Sequence, residues 1–120
     1  MSWSLDHVQV AIPPGGEPEA RAFYGGVLGL IEVPKPLALA ARGGCWFVRD
    51  DLELHCGVED SFVPARKAHP GISVDELDAI AVSLEAAGAS VVWDEATIEG
   101  RRRFHVLDPF GNRLEFLTDA

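Results

Sequence analysis

His7 and Glu53 lie 46 residues apart, and so do His69 and Glu115. Both members shift by the same amount, since 69 − 7 = 62 and 115 − 53 = 62. Imidazole and carboxylate groups are good ligands for divalent metals, so two copies of one His…Glu unit offer four donors to one ion. Two neutral imidazoles and two carboxylates would balance the charge of such an ion. The set suits Zn, Mn, Fe(II), Ni or Co, and ligand type alone does not choose among them. With positions left open, the ion would take two neighbouring oxygens of a substrate and act on them as a Lewis acid. A detaching Glu115 carboxylate could double as general base. His55 and His105 could move the proton, because an imidazole titrates near neutral pH.

These residues need elements to position them. Alternation predicts a first strand over 5–12, with Val8 and Val10 on one face and His7 and Gln9 on the other. Pro13-Pro14-Gly15-Gly16 breaks it, and Glu17-Pro18-Glu19 opens a helix expected to run to about Leu28. Strands are predicted near 30–33, 37–41, 45–49 and 51–57. The Ala-rich 37–41 stretch is read as strand or irregular because prolines and glycines bracket it tightly. Residues 58–66 read as a linker. The order then repeats: a strand over 67–74, a helix from Asp75 to Gly88, and strands near 90–94, 102–107 and 112–118. Each half therefore reads βαβββ. Leu52, Leu54, Leu114, Phe116, Phe104 and Val106 take the helix-covered face, which leaves Glu53, His55, Glu115, Arg103 and His105 opposite. All four histidines fall on that uncovered face.

Charge and composition narrow the function. The 120 residues hold 19 acids and 10 bases, for a formal charge of −9. A phosphate backbone is repelled by that average field, so no nucleic-acid partner is expected. A hydrophobic share of 48% fits one domain with a real core. No apolar run approaches about 18 residues, so no membrane span is expected. Met1-Ser2-Trp3-Ser4 enters the first strand without a signal-type segment, and the expected location is cytoplasmic. Cys45 and Cys56 are expected on neighbouring strands, reduced and packed as small apolar groups. Arg101-Arg102-Arg103 reads as a solvated charge run, or else Arg103 faces inward and holds a substrate anion. Gln9 is expected to line the cavity, with His105 beside it. Trp46 is assigned to core packing and Trp93 to core or interface.

At this point four motifs converge: Leu5-Asp6-His7-Val8; Ala22-Phe23-Tyr24 with Leu28-Gly29-Leu30; Ala68-His69; and Leu107-Asp108-Pro109-Phe110-Gly111-Asn112-Arg113-Leu114-Glu115. Together the chain resembles the vicinal oxygen chelate superfamily, which contains glyoxalase I, fosfomycin- and bleomycin-resistance proteins and extradiol dioxygenases. The resemblance covers about 5–118. It implies an α+β fold, a single glyoxalase-like domain over 1–120. Two βαβββ modules, about 5–57 and 67–118, would form a curled mixed sheet with helices outside. It implies a homodimer and a small-molecule substrate. It also implies His7, His69 and Glu115 as metal ligands. Glu53 takes the fourth position, with His55, two residues on and on the same face, as its rival; the internal repeat selects Glu53. The implied function is a divalent-metal-dependent lyase, isomerase or dioxygenase-like enzyme acting on a small oxygen-rich molecule. The alternative is a metal-free protein that sequesters a ligand, as bleomycin-resistance proteins do. Two positions depart from glyoxalase I: its glutathione-holding arginine and asparagine correspond here to Ala11 and Gly57.

Overall fold

The computed structural model describes residues 1–118. The chain divides into two compact units, Met1–Val63 and a second beginning at Pro64. The first holds strands β1 (Val8–Ile12), β2 (Ile31–Val33), β3 (Cys45–Arg49) and β4 (Leu52–Val58) in the order β1-β4-β3-β2. The second holds β5 (Gly71–Val74), β6 (Val92–Ile98), β7 (Arg101–Leu107) and β8 (Arg113–Thr118) in the order β5-β8-β7-β6. In each sheet the first strand runs parallel to the last and the other pairs are antiparallel. Helix α1 (Glu17–Ala20) and helix α3 (Leu77–Ala86) occupy corresponding places after the first strand of each unit. The architecture is the expected α+β repeat.

Local departures from the sequence reading have identifiable causes. The first helix is α-helical only to Ala20 and continues as a π-helix over Arg21–Val27. The Leu28 N–H bonds to the Phe23 carbonyl across five residues. Gly25 and Gly26 sit in this wider stretch, where α-helical propensity is weakest. Residues 37–41 are not strand: α2 (Leu37–Ala40) is a single helical turn. Pro36 caps it through its carbonyl, where the missing proline N–H costs nothing, and the alanines then favour the helix. The strands that carry the first histidines start later than predicted, β1 at Val8 and β5 at Gly71, so His7 and His69 sit just ahead of them. Proline at position 70 has no N–H for the ladder, although its carbonyl accepts the Glu115 N–H at 3.1 Å.

The core of the first unit joins Tyr24, Phe47, Leu54 and Ile12, all essentially inaccessible to solvent. That of the second joins Phe104, Leu114, Leu84 and Val106. Leu54, Phe104, Val106 and Leu114 are positions that the alternation assigned to the helix side. Cys45 and Cys56 are buried direct partners across β3 and β4 with no disulfide between them.

Two loops fix the registers that place the candidate site. In the first unit, Glu17 Oε2 accepts the Gly44 N–H at 2.8 Å, tying the start of α1 to the start of β3. That bond, followed by one from its own backbone N–H, holds the Glu17 carboxyl below its ordinary value of 4.5. Its stabilisation is therefore complete above pH 4.5 and is lost as pH falls through the lower folded value. Glu17→Gln is expected to melt below the wild type at pH 7, with the gap closing as the pH falls below 4.5 and through the lowered folded value. A gap that stays constant with pH would remove the carboxylate from this role.

In the second unit, Asp108 closes the β7–β8 turn. Its Oδ1 accepts the Phe110 and Asn112 N–H groups at 2.9 and 2.8 Å, and Oδ2 accepts Asn112 Nδ2 at 2.9 Å. The side chain is buried, so its removal leaves donors without acceptors. Asp108→Ala is expected to cost about 2–3 kcal/mol in denaturant unfolding. Because this turn sets His105 opposite Glu115, the same variant is expected to loosen the site as well.

Candidate metal-binding site

Among the described residues, each unit gathers one cluster of donors on the sheet face away from its helix. In the first unit, His7, Glu53 and His55 bring their ligand atoms within 4.8 Å of one another; in the second, His69, His105 and Glu115 do the same. Every histidine of the chain thus belongs to a cluster with a carboxylate.

The second cluster is the better enclosed. Glu115 is buried in the middle of β8, opposite His105 of β7. His69 Nδ1 lies 2.7 Å from the Lys67 carbonyl, which can only accept, so this nitrogen carries the proton. A neutral His69 then turns the lone pair of Nε2 toward Glu115 Oε1, 2.9 Å away. Two lone pairs at that distance attract only with a cation between or upon them, either an added proton or a metal ion. Pinning Nδ1–H on an oxygen so that Nε2 faces the site is the outer-sphere arrangement typical of metal-bound histidine. The chemistry of the donors therefore fits a divalent metal.

Charge in this cluster is set locally. Burial opposes ionisation of Glu115, but a hydrogen bond from His69 when Nε2 carries the added proton, together with the Arg103 charge, outweighs it, and the carboxyl titrates below its ordinary value. Burial, then the nearby Arg113, lowers the pKa of His105 against the opposing pull of Glu115. His105 is accordingly a neutral proton acceptor at neutral pH. Its Nε2 is 3.5 Å from Glu115 Oε1.

The first cluster is organised by rings. His7 Nδ1 lies 2.7 Å from Asp6 Oδ1, which leaves Nε2 for other partners. His55 is sandwiched: His7 stacks on one side at 4.2 Å and Trp46 on the other at 3.9 Å, nearly parallel. His55 Nε2 contacts Glu53 Oε2 at 3.0 Å. Trp46 is the direct cross-strand partner of His55, and so belongs to this face rather than to the core. Its alternation with Cys45 and Phe47 was the available signal.

Spacing and sheet register relate the two clusters differently. Val8 pairs with Leu54, so His7 is level with Glu53; Gly71 pairs with Glu115, so His69 stands two steps behind Glu115. Relative to its own first histidine, His55 therefore occupies the rung that Glu115 does, although the 46-residue spacing selects Glu53.

The remaining expected residues are placed as follows. Gln9 is exposed on β1, opposite His55, with its amide over Gly57. The three arginines are not a solvated loop but alternate along β7. Arg101 bonds the Thr118 carbonyl and Ser73 Oγ. Arg102 pairs with Asp78 through two bonds of 3.1 Å and covers the Trp93 ring at 4.8 Å. Arg103 turns to the site face, where it reaches Asp94 at 2.7 Å and Glu115 at 3.4 Å. Asp94 had no part in the sequence reading; only its place opposite Arg103 reveals it. Ala11 and Gly57 are direct partners on β1 and β4. Among the described residues, no helix is long and apolar enough to cross a membrane.

A family model for the Glyoxalase/Bleomycin resistance protein/Dioxygenase superfamily matches residues 4–116. A glyoxalase family protein from Bacillus anthracis is 48% identical, with a TM-score of 0.93 over 100% of this chain and 98% of that one. A lactoylglutathione lyase from Agrobacterium tumefaciens is 22% identical, with a TM-score of 0.67 over 92% and 91% of the two chains. A Glu-to-Gln mutant of the fosfomycin resistance protein FosX from Listeria monocytogenes, complexed with Mn(II) and 1S,2S-dihydroxypropylphosphonic acid, is 16% identical; its TM-score is 0.78 over 100% and 95%. The last two share the fold. No curated protein matches the sequence.

Proposed function

The chain belongs to the Glyoxalase/Bleomycin resistance protein/Dioxygenase superfamily, and from that premise we propose that it is a divalent-metal-dependent enzyme acting on a small molecule with two adjacent oxygens. The observation that carries this reading is His69, held through Nδ1–H by the Lys67 carbonyl with Nε2 aimed at the buried Glu115 carboxylate. Our ligand set is His7, His69, Glu115 and Glu53. We favour Glu53 over His55 because the 46-residue spacing that joins His69 to Glu115 joins His7 to Glu53, and His55 Nε2 lies 3.0 Å from that carboxylate. His55 then steadies the carboxylate.

When bound, a divalent ion here supplies Lewis acidity to the substrate's oxygens. The chain's own groups do the rest. His105, neutral and beside Glu115, accepts the substrate proton. Gln9 offers an amide for orientation. Ala11 and Gly57 present no side chain able to grip a glycyl carboxylate, which argues for a substrate other than a glutathione conjugate. The reaction class we assign is lyase, isomerase or dioxygenase-like, with a cytoplasmic homodimer as the working assembly. The Mn(II) complex of FosX lends support to the metal, though not to its identity here.

Elemental analysis tests the reading. Protein prepared with excess metal is expected to retain it stoichiometrically and to lose it in His69→Ala. If the four ligands serve one ion, His7→Ala abolishes the same equivalent; if each variant loses only half of the bound metal, the shared set is wrong. Metal-replete protein that holds no ion yet binds a bleomycin-type cation would establish the sequestering alternative. Screening alpha-keto aldehydes, catechols and fosfomycin against the loaded protein then identifies the substrate class.

A further inference from the structure

Pairing between β6 and β7 shifts register between Asp94 and Ile98. Asp94 organises this irregularity. Its Oδ1 accepts the Ala96 N–H at 2.9 Å, and the Ala96 carbonyl in turn accepts Arg103 Nε at 3.0 Å. Asp94 Oδ2 takes Arg103 Nη2 at 2.7 Å. The third nitrogen, Nη1, reaches Glu115 Oε2 at 3.4 Å. Register breaks of this kind re-aim side chains, and a guanidinium is a rigid planar fork whose orientation is fixed once two of its nitrogens are held. The Arg103 side chain is only 18% exposed. Meanwhile Glu115 Oε1 faces His69 Nε2 and His105 Nε2, at 2.9 and 3.5 Å. The two carboxylate oxygens are thus divided between an arginine and a pair of imidazoles.

We propose that Arg103, seated by Asp94 and the Ala96 carbonyl, is a positioning residue that occupies Glu115 Oε2 and leaves Oε1 as the carboxylate's one donor to the metal. The inference rests on the metal reading above. Asp94 also offsets the arginine's charge, so the orientation is achieved without a net positive charge beside a cation site. A lysine could not substitute, because it brings a point charge without the fork. With Nε, Nη1 and Nη2 all engaged inside the protein, Arg103 serves the carboxylate rather than a substrate anion.

Co(II) titration followed by visible absorption tests this, because the ligand-field bands report coordination number independently of turnover. Wild-type protein is expected to bind Co(II) and show well-developed bands. In Arg103→Gln the freed Oε2 also coordinates, so the bands weaken and shift. The Kd for Co(II) departs from the wild-type value by at least about tenfold, the lower range for change of an outer-sphere partner. Arg103→Lys is expected to follow the glutamine variant, and Asp94→Asn to move the same way, by less. Thermal melts of the metal-free proteins confirm folding, and Asp94→Asn provides the reading should Arg103→Gln not fold. Wild-type spectra and affinity in the variants, or rescue by lysine, would overturn the positioning role while leaving the metal site intact. A wild-type protein that binds no Co(II) would instead overturn the metal reading and this inference with it.

Discussion

Glu115→Gln is expected to abolish metal binding and turnover while the protein remains folded. The substitution keeps the shape of the side chain and removes its charge. In the wild type the carboxylate answers three partners at once: His69 at 2.9 Å, Arg103 at 3.4 Å and His105 at 3.5 Å. Its ionised form persists although burial opposes it, because the bond from protonated His69 and the Arg103 charge together do more. A neutral amide would present an oxygen of much weaker donor strength, or turn its NH2 toward the site. Loss of an outer-sphere partner alone commonly costs 10–100-fold in affinity, so loss of a ligand should exceed about 100-fold. Isothermal titration with Mn(II) or Zn(II) against metal-free protein measures it. Wild-type affinity in Glu115→Gln would remove this residue from the ligand set and with it the core of the proposed function.

The second large effect is expected at Gly44, where the cause is backbone geometry. Gly44 has φ +82, and a Cβ there would lie 2.2 Å from the Cys56 carbonyl oxygen. That oxygen belongs to β4 and cannot swing aside as a side-chain terminus would. Gly44→Ala combines a left-handed backbone penalty of about 1–2 kcal/mol with an overpacking cost of about 1–3 kcal/mol. The sum, about 2–5 kcal/mol, is a large fraction of the roughly 5–15 kcal/mol by which a domain is stable. Thermal unfolding is expected to shift down by something on the order of 10–20 °C. The consequence reaches the site, because β3 and β4 must separate locally at Cys45 and Cys56, next to the Trp46–His55 pair. A Gly44→Ala protein with an unchanged melting temperature would mean that the hairpin can open here at little cost.

The sequence by itself determined the repeat, the fold class and the face on which the chemistry lies. Those depend on local physics: side chains alternate across a strand, and Pro, Gly, Asp and Asn stop or turn the chain wherever they occur. Leu54 and Glu53, or Leu114 and Glu115, had to point in opposite directions once each segment was extended. What the tertiary structure decided is how groups distant in sequence share that face. No periodicity reveals that Asp94 seats Arg103, that Trp46 lies flat on His55, or that His55 shares with Glu115 the same rung relative to its own first histidine. Those relations depend on register and on a shift within β6, which are set by whole strands pairing and by the turns that join them.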